Sequence, residues 1–423
     1  MPNPDPAPVR PTRRLVIVVR ADPVICGHSG EARNLAEAAL LAGFDDVRIV
    51  TWPLEAIQQL PRKPLHSVLP YSPGIVVERP APVGDYKVPD GRFTAGMVGR
   101  LVELFCEDVP TVCVSLYLTP HASVVMEALS VCRALGRDPD VTTIAEAVGS
   151  DITNVVRSCV EEGRFGAAAH VFASYLGHDR CVAVSEYTRG CIIDAAEQVD
   201  ATWGTSFAAT CRERVGISYP AIDAGSGEPD EAAVGATLAL RGLERDGYVL
   251  FLSRLSPEKG VDDLIEGYAR SAAHSELRLV IAGTGPALDE MRARAAATAV
   301  GGRITFLDDV DDAEKWSLMA GCAAFVLPSK PKPEFVETFG ISLVEKMLAG
   351  GGPVITTATG GIPEAVGDTA IVIPVSDPDA IAAGLDEVVA LDDAERRARA
   401  DKARSHAMQF DRTRVFERLL AGL

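Results

Sequence analysis

The chain lacks an apolar run that could cross a membrane as a helix, since such a helix needs about 20 consecutive apolar residues. It also lacks an excess of positive charge, because 59 acidic residues outnumber 41 basic ones and the formal net charge is −18. That charge would repel a nucleic acid or an anionic membrane surface, although one local basic pocket for a diphosphate stays compatible with it. These absences predict no nucleic-acid partner and no stable membrane insertion.

Several catalytic motifs are missing too. The sequence has no Gly-x-x-x-x-Gly-Lys phosphate loop, no Gly-x-Ser-x-Gly nucleophile turn and no His-Glu-x-x-His zinc helix. None of the nine cysteines forms a Cys-x-x-Cys pair, and many lie in apolar runs. Reduced, buried thiols in a cytoplasmic protein are the simplest explanation of this pattern.

What is present is a long chain of alternating strand and helix patterns. Its 423 residues, 47% of them hydrophobic, are enough for two domains with sizeable cores. The pattern predicts an α/β protein with two doubly wound, Rossmann-like domains. We expect a disordered lead-in over residues 1–13, an N-terminal domain over 14–230, a C-terminal domain over 245–405 and a final helical segment over 406–423.

The most informative stretch runs from Pro333 to Ala365. Glu337 and Glu345 stand with seven residues between them, Thr338-Phe339-Gly340 follows the first glutamate, and apolar residues then recur at helical spacing. A glycine turn that enters a helix points free backbone N–H groups at an anion, and the helix dipole favours negative charge there. Carboxylates beside such a site can hold sugar hydroxyls, although either glutamate alone is more simply a solvated helix charge.

A second basic element begins the C-terminal half. Arg254 follows the strand predicted over residues 248–253, and Lys259 with Gly260 precedes the next helix. Two cations at the carboxyl end of a parallel strand, beside a helix N-terminus, suit a diphosphate. Gly283 begins a Gly-Thr-Gly loop after the following strand, which we expect near a nucleotide.

Together these segments resemble the donor site of retaining glycosyltransferases with the GT-B fold, in the large family 4 (glycosyl transferases group 1). The resemblance covers residues 248–375 well. It implies two domains that face a cleft and a nucleotide-sugar donor. It also implies that Arg254 and Lys259 stabilise the leaving diphosphate, while Glu337 holds the donor sugar and Glu345 the ribose. No cofactor or metal is implied, and the acidic run 308–312 is interpreted as helix capping.

In the N-terminal half, the resemblance implies a glycine-rich loop with Gly27 and Gly30 at the donor and His28 as an acceptor contact. His121 follows a predicted parallel strand, which favours it as a ligand contact. Family members often carry a histidine after the next strand, and this sequence has Glu146 at about that place. Glu146 is therefore our candidate for orienting an acceptor hydroxyl or amine.

The resemblance implies a retaining enzyme that transfers a sugar from a nucleotide-diphosphate-sugar donor to a soluble small-molecule acceptor, in a pathway of secondary metabolites or of low-molecular-weight thiols and cyclitols. A GT-B disaccharide synthase or phosphorylase is one alternative. A nucleotide-sugar-binding subunit without catalysis is another, and an enzyme with a lipid acceptor is a third. The nucleotide base, the sugar and the acceptor stay open, as does a homodimer.

Overall fold

The computed structural model describes residues 12–60, 62–65, 68–85, 87, 89–225 and 230–422, without the side chains of residues 89, 90 and 153. Most of the predicted disordered lead-in, residues 1–11, therefore lies outside the described residues. Its last two residues are held by the Asp45 carboxylate, which accepts hydrogen bonds from the backbone N–H groups of Thr12 and Arg13 at 2.9 to 3.0 Å.

The chain forms two compact units. Unit 1 comprises residues up to 183, residues 191–218 and residues from 416 onward, and unit 2 comprises residues 184–190 and 219–415. The division thus falls near residue 218, whereas the sequence suggested a boundary between residues 230 and 245. Each unit is an α/β unit built on one parallel sheet, as the strand and helix patterns predict.

Unit 1 contains a seven-stranded sheet in the order β3-β2-β1-β4-β5-β6-β7, and every neighbouring pair is parallel. Its strands are β1 Arg14–Val18, β2 Asp46–Val50, β3 Ile75–Glu78, β4 Thr111–Leu116, β5 Val141–Ala147, β6 Arg180–Ala183 and β7 Val215–Ile217. The helices are α1 Gly27–Leu41, α2 Pro89–Phe105, α3 Ser123–Ala134, α4 Ser150–Thr153, α5 Val155–Glu161, α6 Phe165–Leu176, α7 Glu186–Trp203 and α8 Phe207–Arg214. The first residues of α7 belong to unit 2.

Unit 2 contains a six-stranded parallel sheet in the order β10-β9-β8-β11-β12-β13. Its strands are β8 Tyr248–Leu252, β9 Arg278–Ala282, β10 Ile304–Leu307, β11 Ala324–Leu327, β12 Val354–Thr357 and β13 Ile371–Ile373. The helices are α9 Glu231–Arg241, α10 Val261–Arg270, α11 Leu288–Ala296, α12 Asp312–Gly321, α13 Ile341–Ala349, α14 Ile362–Val366, α15 Pro378–Ala390, α16 Asp393–Ala407 and α17 Arg412–Leu420. Residues of α17 from 416 onward belong to unit 1.

The central strands are buried along their whole length, which explains their largely apolar sequences. Strands β1, β4 and β11 are buried at every position, as expected for parallel strands covered by helices on both faces. In such sheets, ligands bind outside the carboxyl ends of the strands. The loops that follow β1, β4 and β5 in unit 1, and β8, β9 and β11 in unit 2, are therefore where the candidate residues should lie.

Four stretches of sequence favour structures that differ from those observed. Gly27 and Gly30 favour a loop that runs to about Glu31, but helix α1 begins at Gly27. The prolines and turn residues of segment 53–92 favour an excursion, but the segment contains the sheet strand β3. Residues 217–223 favour a strand, but β7 lies at Val215–Ile217. The glycine, proline and acidic residues of 224–246 favour a linker, but the segment contains helix α9.

The acidic run before α12 caps that helix through Asp311, as predicted. The Asp311 carboxylate accepts hydrogen bonds from the N–H groups of Ala313 and Glu314, and the Glu314 side chain accepts one from the Asp311 N–H in return. This reciprocal capping box satisfies N–H groups that the first turn of a helix leaves without intrahelical partners. In the part of the chain that the structure describes, no helix is long and apolar enough to cross a membrane.

Candidate functional site

The centre of the site in unit 2 is an ion pair between Lys259 and Glu337. The two residues are 78 positions apart, and the Lys259 Nζ donates to the Glu337 Oε2. Their side chains are only 10% and 13% exposed. The Lys259 Nζ also lies 4.8 Å from the centroid of the Phe335 ring. An ammonium has three N–H donors, and the pair with Glu337 uses one of them.

Arg254 is held on the same loop by a carboxylate that the sequence analysis did not single out. The Glu258 Oε1 accepts from the Arg254 Nη2 at 2.8 Å and from the Ser256 Oγ at 2.6 Å. Burial opposes ionisation of Glu258, but its hydrogen bonds to Ser256 and Arg254 lower the pKa of this carboxyl overall. Arg254 keeps a half-exposed guanidinium, so it can contact a ligand at the edge of the site.

Two glycines allow the loops after the strands to touch. Gly260 has φ +70°, and a Cβ there would lie 2.1 Å from the Pro328 carbonyl oxygen in the loop after β11. Gly283 has φ +135°, and a Cβ there would lie 2.0 Å from the Ser253 carbonyl oxygen. A side chain at either position would both clash with backbone and require a conformation that only glycine adopts readily. The base of the site is therefore backbone packed on backbone.

The loop that carries Glu337 is fixed from its other side. The Gly361 N–H donates to the Glu337 carbonyl at 2.9 Å, and a Cβ on Gly361 would lie 2.0 Å from the Thr338 carbonyl oxygen. Gly340, in the left-handed region at φ +102°, is the N-cap of α13 and has no side chain with which to cap the helix. The first-turn N–H groups of α13 thus lie just after Glu337, as predicted for an anion site.

The segment before α7 completes this arrangement within unit 2. The Ser185 hydroxyl donates to the Thr338 carbonyl at 2.7 Å and accepts from the Thr188 N–H at 3.0 Å, so Ser185 caps the start of α7. The Glu364 carboxylate accepts from the N–H groups of Glu186 and Tyr187 at 2.7 and 3.1 Å. A carboxylate at the first turn of a helix is favoured by the helix dipole.

Two of the predicted donor-binding residues, Phe339 and Glu345, are already in contact with other side chains of unit 2. Phe339 is buried, with its ring 5.5 Å from that of Tyr219 and 5.0 Å from that of Phe410. Its side chain belongs to the core, so only its backbone can meet a ligand. The Glu345 Oε1 accepts from the Lys315 Nζ at 2.7 Å, and both side chains are at most one-fifth exposed. A ribose at Glu345 would share the carboxylate with Lys315.

In unit 1, the candidate glycines belong to a helix rather than to a loop. Gly27 is the first residue of α1, and Gly30 has room for a Cβ, so neither the fold nor a close contact requires glycine at position 30. The Cys26 N-cap makes no side-chain capping bond. The ring of His28 lies edge-on to Tyr117 at 5.8 Å. Burial lowers the pKa of His28; Glu31 opposes that shift and Arg20 adds to it.

His121 is a buried, neutral imidazole. Its Nε2 accepts from the Trp52 Nε1 at 2.9 Å, which places the ring proton on Nδ1. Burial lowers the pKa of His121 to about 3, although the carbonyls of Leu116 and Tyr117 near the ring oppose this shift. These contacts make His121 a packing residue at the carboxyl end of β4, and its role as an acceptor contact stays a prediction.

Glu146 forms a buried pair with a carboxyl group that the sequence analysis missed. Burial, and then the neighbouring carboxylate of Glu31, raise the pKa of Glu146, and the two side chains share a hydrogen bond. Glu146 and Glu31 are 1% and 3% exposed. One proton shared by two buried carboxylates is the usual response to such proximity. Glu31 follows Gly30 on α1. Its side chain faces inward because α1 begins at Gly27, a start that the sequence does not indicate.

Asp151, in the first turn of α4, holds together the loops that follow β4 and β5. Its carboxylate accepts from the N–H groups of Leu118, Val148 and Gly149 at 3.0 to 3.3 Å. The N-cap of α4 is Gly149, so Asp151 lies within the first turn of that helix rather than at its cap. Burial raises the pKa of Asp151, and these backbone hydrogen bonds oppose the shift.

Comparison with known proteins finds similarity to glycosyltransferases in part of the chain. Residues 241–406 match the family model of glycosyl transferases group 1. The chain is 32% identical over 227 residues to the D-inositol 3-phosphate glycosyltransferase of Stackebrandtia nassauensis, which covers 50% of this chain and 48% of that protein. It is 28% identical over 213 residues to the GDP-mannose-dependent alpha-(1-6)-phosphatidylinositol monomannoside mannosyltransferase of Mycobacterium tuberculosis. This match covers 48% of this chain and 55% of that protein. The chain thus spans about half the length, or less, of the curated relatives it matches.

The fold extends further than the sequence similarity. The crystal structure of Anabaena Alr3699/HepE in complex with UDP and glucose matches with a TM-score of 0.68 and 17% identity, covering 97% of this chain and 99% of that one. At this identity the likeness shows the fold alone, and it confirms the predicted fold class. Residues 241–406 therefore carry a glycosyl transferases group 1 domain, in a chain that has the GT-B fold.

Proposed function

We propose that the protein is a glycosyltransferase that moves a sugar, with retention of anomeric configuration, from a nucleotide-diphosphate sugar to a soluble small-molecule acceptor. Family 4 is the corresponding sequence family. The named relatives are glycosyltransferases, and Alr3699/HepE was crystallised with UDP and glucose. The proposal itself rests on the chemistry of the residues in unit 2.

The observation that carries the proposal is the Lys259–Glu337 pair beside the start of α13. The pair holds a cation and a carboxylate at neighbouring positions on loops that follow parallel strands. The cation and the first-turn N–H groups of α13 suit the diphosphate, and the carboxylate suits hydroxyls of the sugar attached to it. Arg254, held by Glu258, adds a second cation at the edge.

In the proposed reaction, the bond between the anomeric carbon and the diphosphate oxygen breaks while the acceptor oxygen bonds to the same face of that carbon. The acceptor proton passes to the departing diphosphate oxygen, so the step needs no enzyme nucleophile. Lys259, Arg254 and the N–H groups after Gly340 stabilise the charge that develops on the diphosphate. These cations suit that charge without a metal ion, so we propose that no cofactor or metal takes part.

The acceptor is proposed to bind unit 1, through His28, Glu146 or both. The proposed compartment is the cytoplasm, which fits the free cysteines of the described chain. The proposal does not name the nucleotide base or the sugar.

The proposal is tested first by thermal stabilisation with UDP, GDP, ADP and dTDP. A ligand that binds only the native state raises the melting temperature by mass action. At a concentration 100 times its Kd, it adds about 2.7 kcal/mol to the free energy of unfolding. We expect one nucleotide to stabilise the wild type and to have a weaker effect on Lys259→Ala and Glu345→Ala. Lys332→Ala, which changes an exposed lysine in the loop after β11, is the matched control and should respond like the wild type.

Incubation with the matching sugar nucleotide and an acceptor panel then tests transfer, and the anomeric coupling constant of the product in NMR tests retention. An inverted anomer would contradict the proposed mechanism. Binding without turnover on any acceptor would favour a nucleotide-sugar-binding subunit. If no nucleotide changes the melting temperature, the donor site is assigned incorrectly.

A further inference from the structure

Unit 1 contains a cavity of about 540 Å³ that none of the predicted site residues lines. It lies between α3, α6 and the segment that joins β4 to α3, and Thr94 of α2 closes one side. Pockets for small molecules typically measure about 300–1,000 Å³, so its size suits a compact ligand. Thr119 and Pro120 line it, and they directly precede the candidate acceptor residue His121.

The helices that border the cavity face it with polar groups. Ser123 and Glu127 stand four residues apart on α3, and His170 and Ser174 stand four residues apart on α6. Residues at this spacing share one helix face, and contacts between neighbouring helices are usually made by apolar side chains there. Ser123 hydrogen-bonds to His170 and to Ser174, and Glu127 and His170 are exposed, so the four side chains present hydrogen-bonding groups on this side of the cavity.

The hydrogen bonds of these groups leave capacity for a ligand. The Ser123 Oγ lies 3.2 Å from both the His170 Nε2 and the Ser174 Oγ. The Thr119 Oγ1 is buried and has no hydrogen-bond partner among the described residues. A buried hydroxyl without a partner costs free energy, which a ligand that bonds to it would recover.

The charge and the apolar surface of the cavity define what fits. Glu127 is the one carboxylate among the described lining residues, and no lysine or arginine is among them. A phosphate or carboxylate on the ligand would therefore be repelled. Pro120 and Met126 add apolar surface, which suits the C–H faces of a saturated ring.

We propose that this cavity binds an uncharged polyhydroxylated ring of the size of a monosaccharide or a cyclitol. Ring hydroxyls donate to the Glu127 carboxylate and exchange hydrogen bonds with Thr119, Ser123 and Ser174. The ring face packs on Pro120 and Met126. Neither His28 nor Glu146, the proposed acceptor contacts, lines this cavity, so the ring occupies a site of its own. The inference therefore does not depend on the proposed function.

The test is saturation-transfer difference NMR on the full chain, without nucleotide, with myo-inositol, D-glucose, N-acetyl-D-glucosamine and glucose 6-phosphate as probes. We expect saturation transfer to at least one uncharged probe and none to glucose 6-phosphate. Glu127→Ala and His170→Ala change exposed side chains, so both variants should fold. Each should raise the Kd of the bound probe about threefold to tenfold, the effect of one lost hydrogen bond.

Ser130→Ala is the matched control, because Ser130 is an exposed residue of α3 that does not line the cavity. The Kd in this variant should equal that of the wild type. Glu127→Lys should allow glucose 6-phosphate to bind. The proposal is overturned if no uncharged probe shows saturation transfer, or if Glu127→Ala and His170→Ala bind the probe as tightly as Ser130→Ala does.

The same measurement in Lys259→Ala separates this inference from the proposed function. Lys259 belongs to unit 2, so this variant should bind the probe as the wild type does. A protein that binds the uncharged probe but no nucleotide would retain the polyol site and lose the glycosyltransferase assignment. A protein that binds nucleotides but no uncharged probe would keep the glycosyltransferase assignment and overturn the polyol site.

Discussion

The Lys259–Glu337 pair leads to a prediction that separates stability from ligand binding. Removing one partner of a buried ion pair leaves the other charge without compensation, which costs about 3–5 kcal/mol in buried sites. Both side chains keep about a tenth of their surface exposed, so we expect the low end of that range, about 3 kcal/mol, for Lys259→Met and for Glu337→Gln. For units of about 200 residues, this corresponds to a decrease in melting temperature of roughly 6–12 °C.

The double variant Lys259→Met/Glu337→Gln should recover most of this loss, because it leaves no unpaired charge. The free energy of unfolding, measured by urea denaturation for the wild type, both single variants and the double variant, gives the coupling energy of the pair. Nucleotide binding should not recover in the double variant, since the cation that meets the diphosphate is absent. A double variant as unstable as the sum of the single variants, or one that binds nucleotide like the wild type, would refute the reasoning.

Three further predictions concern single residues. Gly260→Ala should lower the free energy of unfolding, measured by urea denaturation, by roughly 2–4 kcal/mol, because the new Cβ would meet the Pro328 carbonyl at positive φ. Its control is Gly30→Ala, where the added Cβ has open space, and the free energy of unfolding should change by about 1 kcal/mol or less. Burial raises the pKa of Glu146 in the folded state, so the native protein keeps a proton that the unfolded chain loses, and the stability of the wild type falls as pH rises above the unfolded value. Glu146→Gln removes this effect, so its melting temperature should exceed that of the wild type by more at about pH 8 than at about pH 5, and an equal difference at both values would contradict it. Glu364→Ala should destabilise by about 1 kcal/mol, measured by thermal unfolding, since two N–H groups at the start of α7 lose their acceptor, and Glu334→Ala is its exposed control.

Much of unit 2 could be predicted from sequence because its signals are local. Strand β8, the cations after it and the start of α10 follow one another within a short segment, and the glycines around α13 mark its ends. Unit 1 was harder to predict. Gly27 and Gly30 favour a loop by their conformational freedom, yet α1 begins at Gly27. Strand β3 has four residues at the edge of its sheet and lies among prolines and turn residues that conceal it.

The pairings within the sites could not be predicted, because they depend on contacts between distant segments. Nothing near Lys259 in sequence indicates that Glu337 is its partner, since the two meet only when the loops after β8 and β11 come together at Gly260. The Glu31–Glu146 pair likewise depends on the direction in which α1 faces. A sequence pattern can identify groups capable of chemistry, but which group neutralises which is decided by packing.

The backbone contacts at Gly260, Gly283 and Gly361 have a consequence for protein engineering. Each glycine lies so close to a carbonyl oxygen that a side chain there would displace the loop rather than line the site. Libraries that randomise these positions should therefore yield mostly misfolded variants and few with altered ligand preference. The half-exposed Arg254 at the edge differs, because its side chain can change without moving the backbone beneath it, and a substitution there should alter the proposed diphosphate contact rather than the fold.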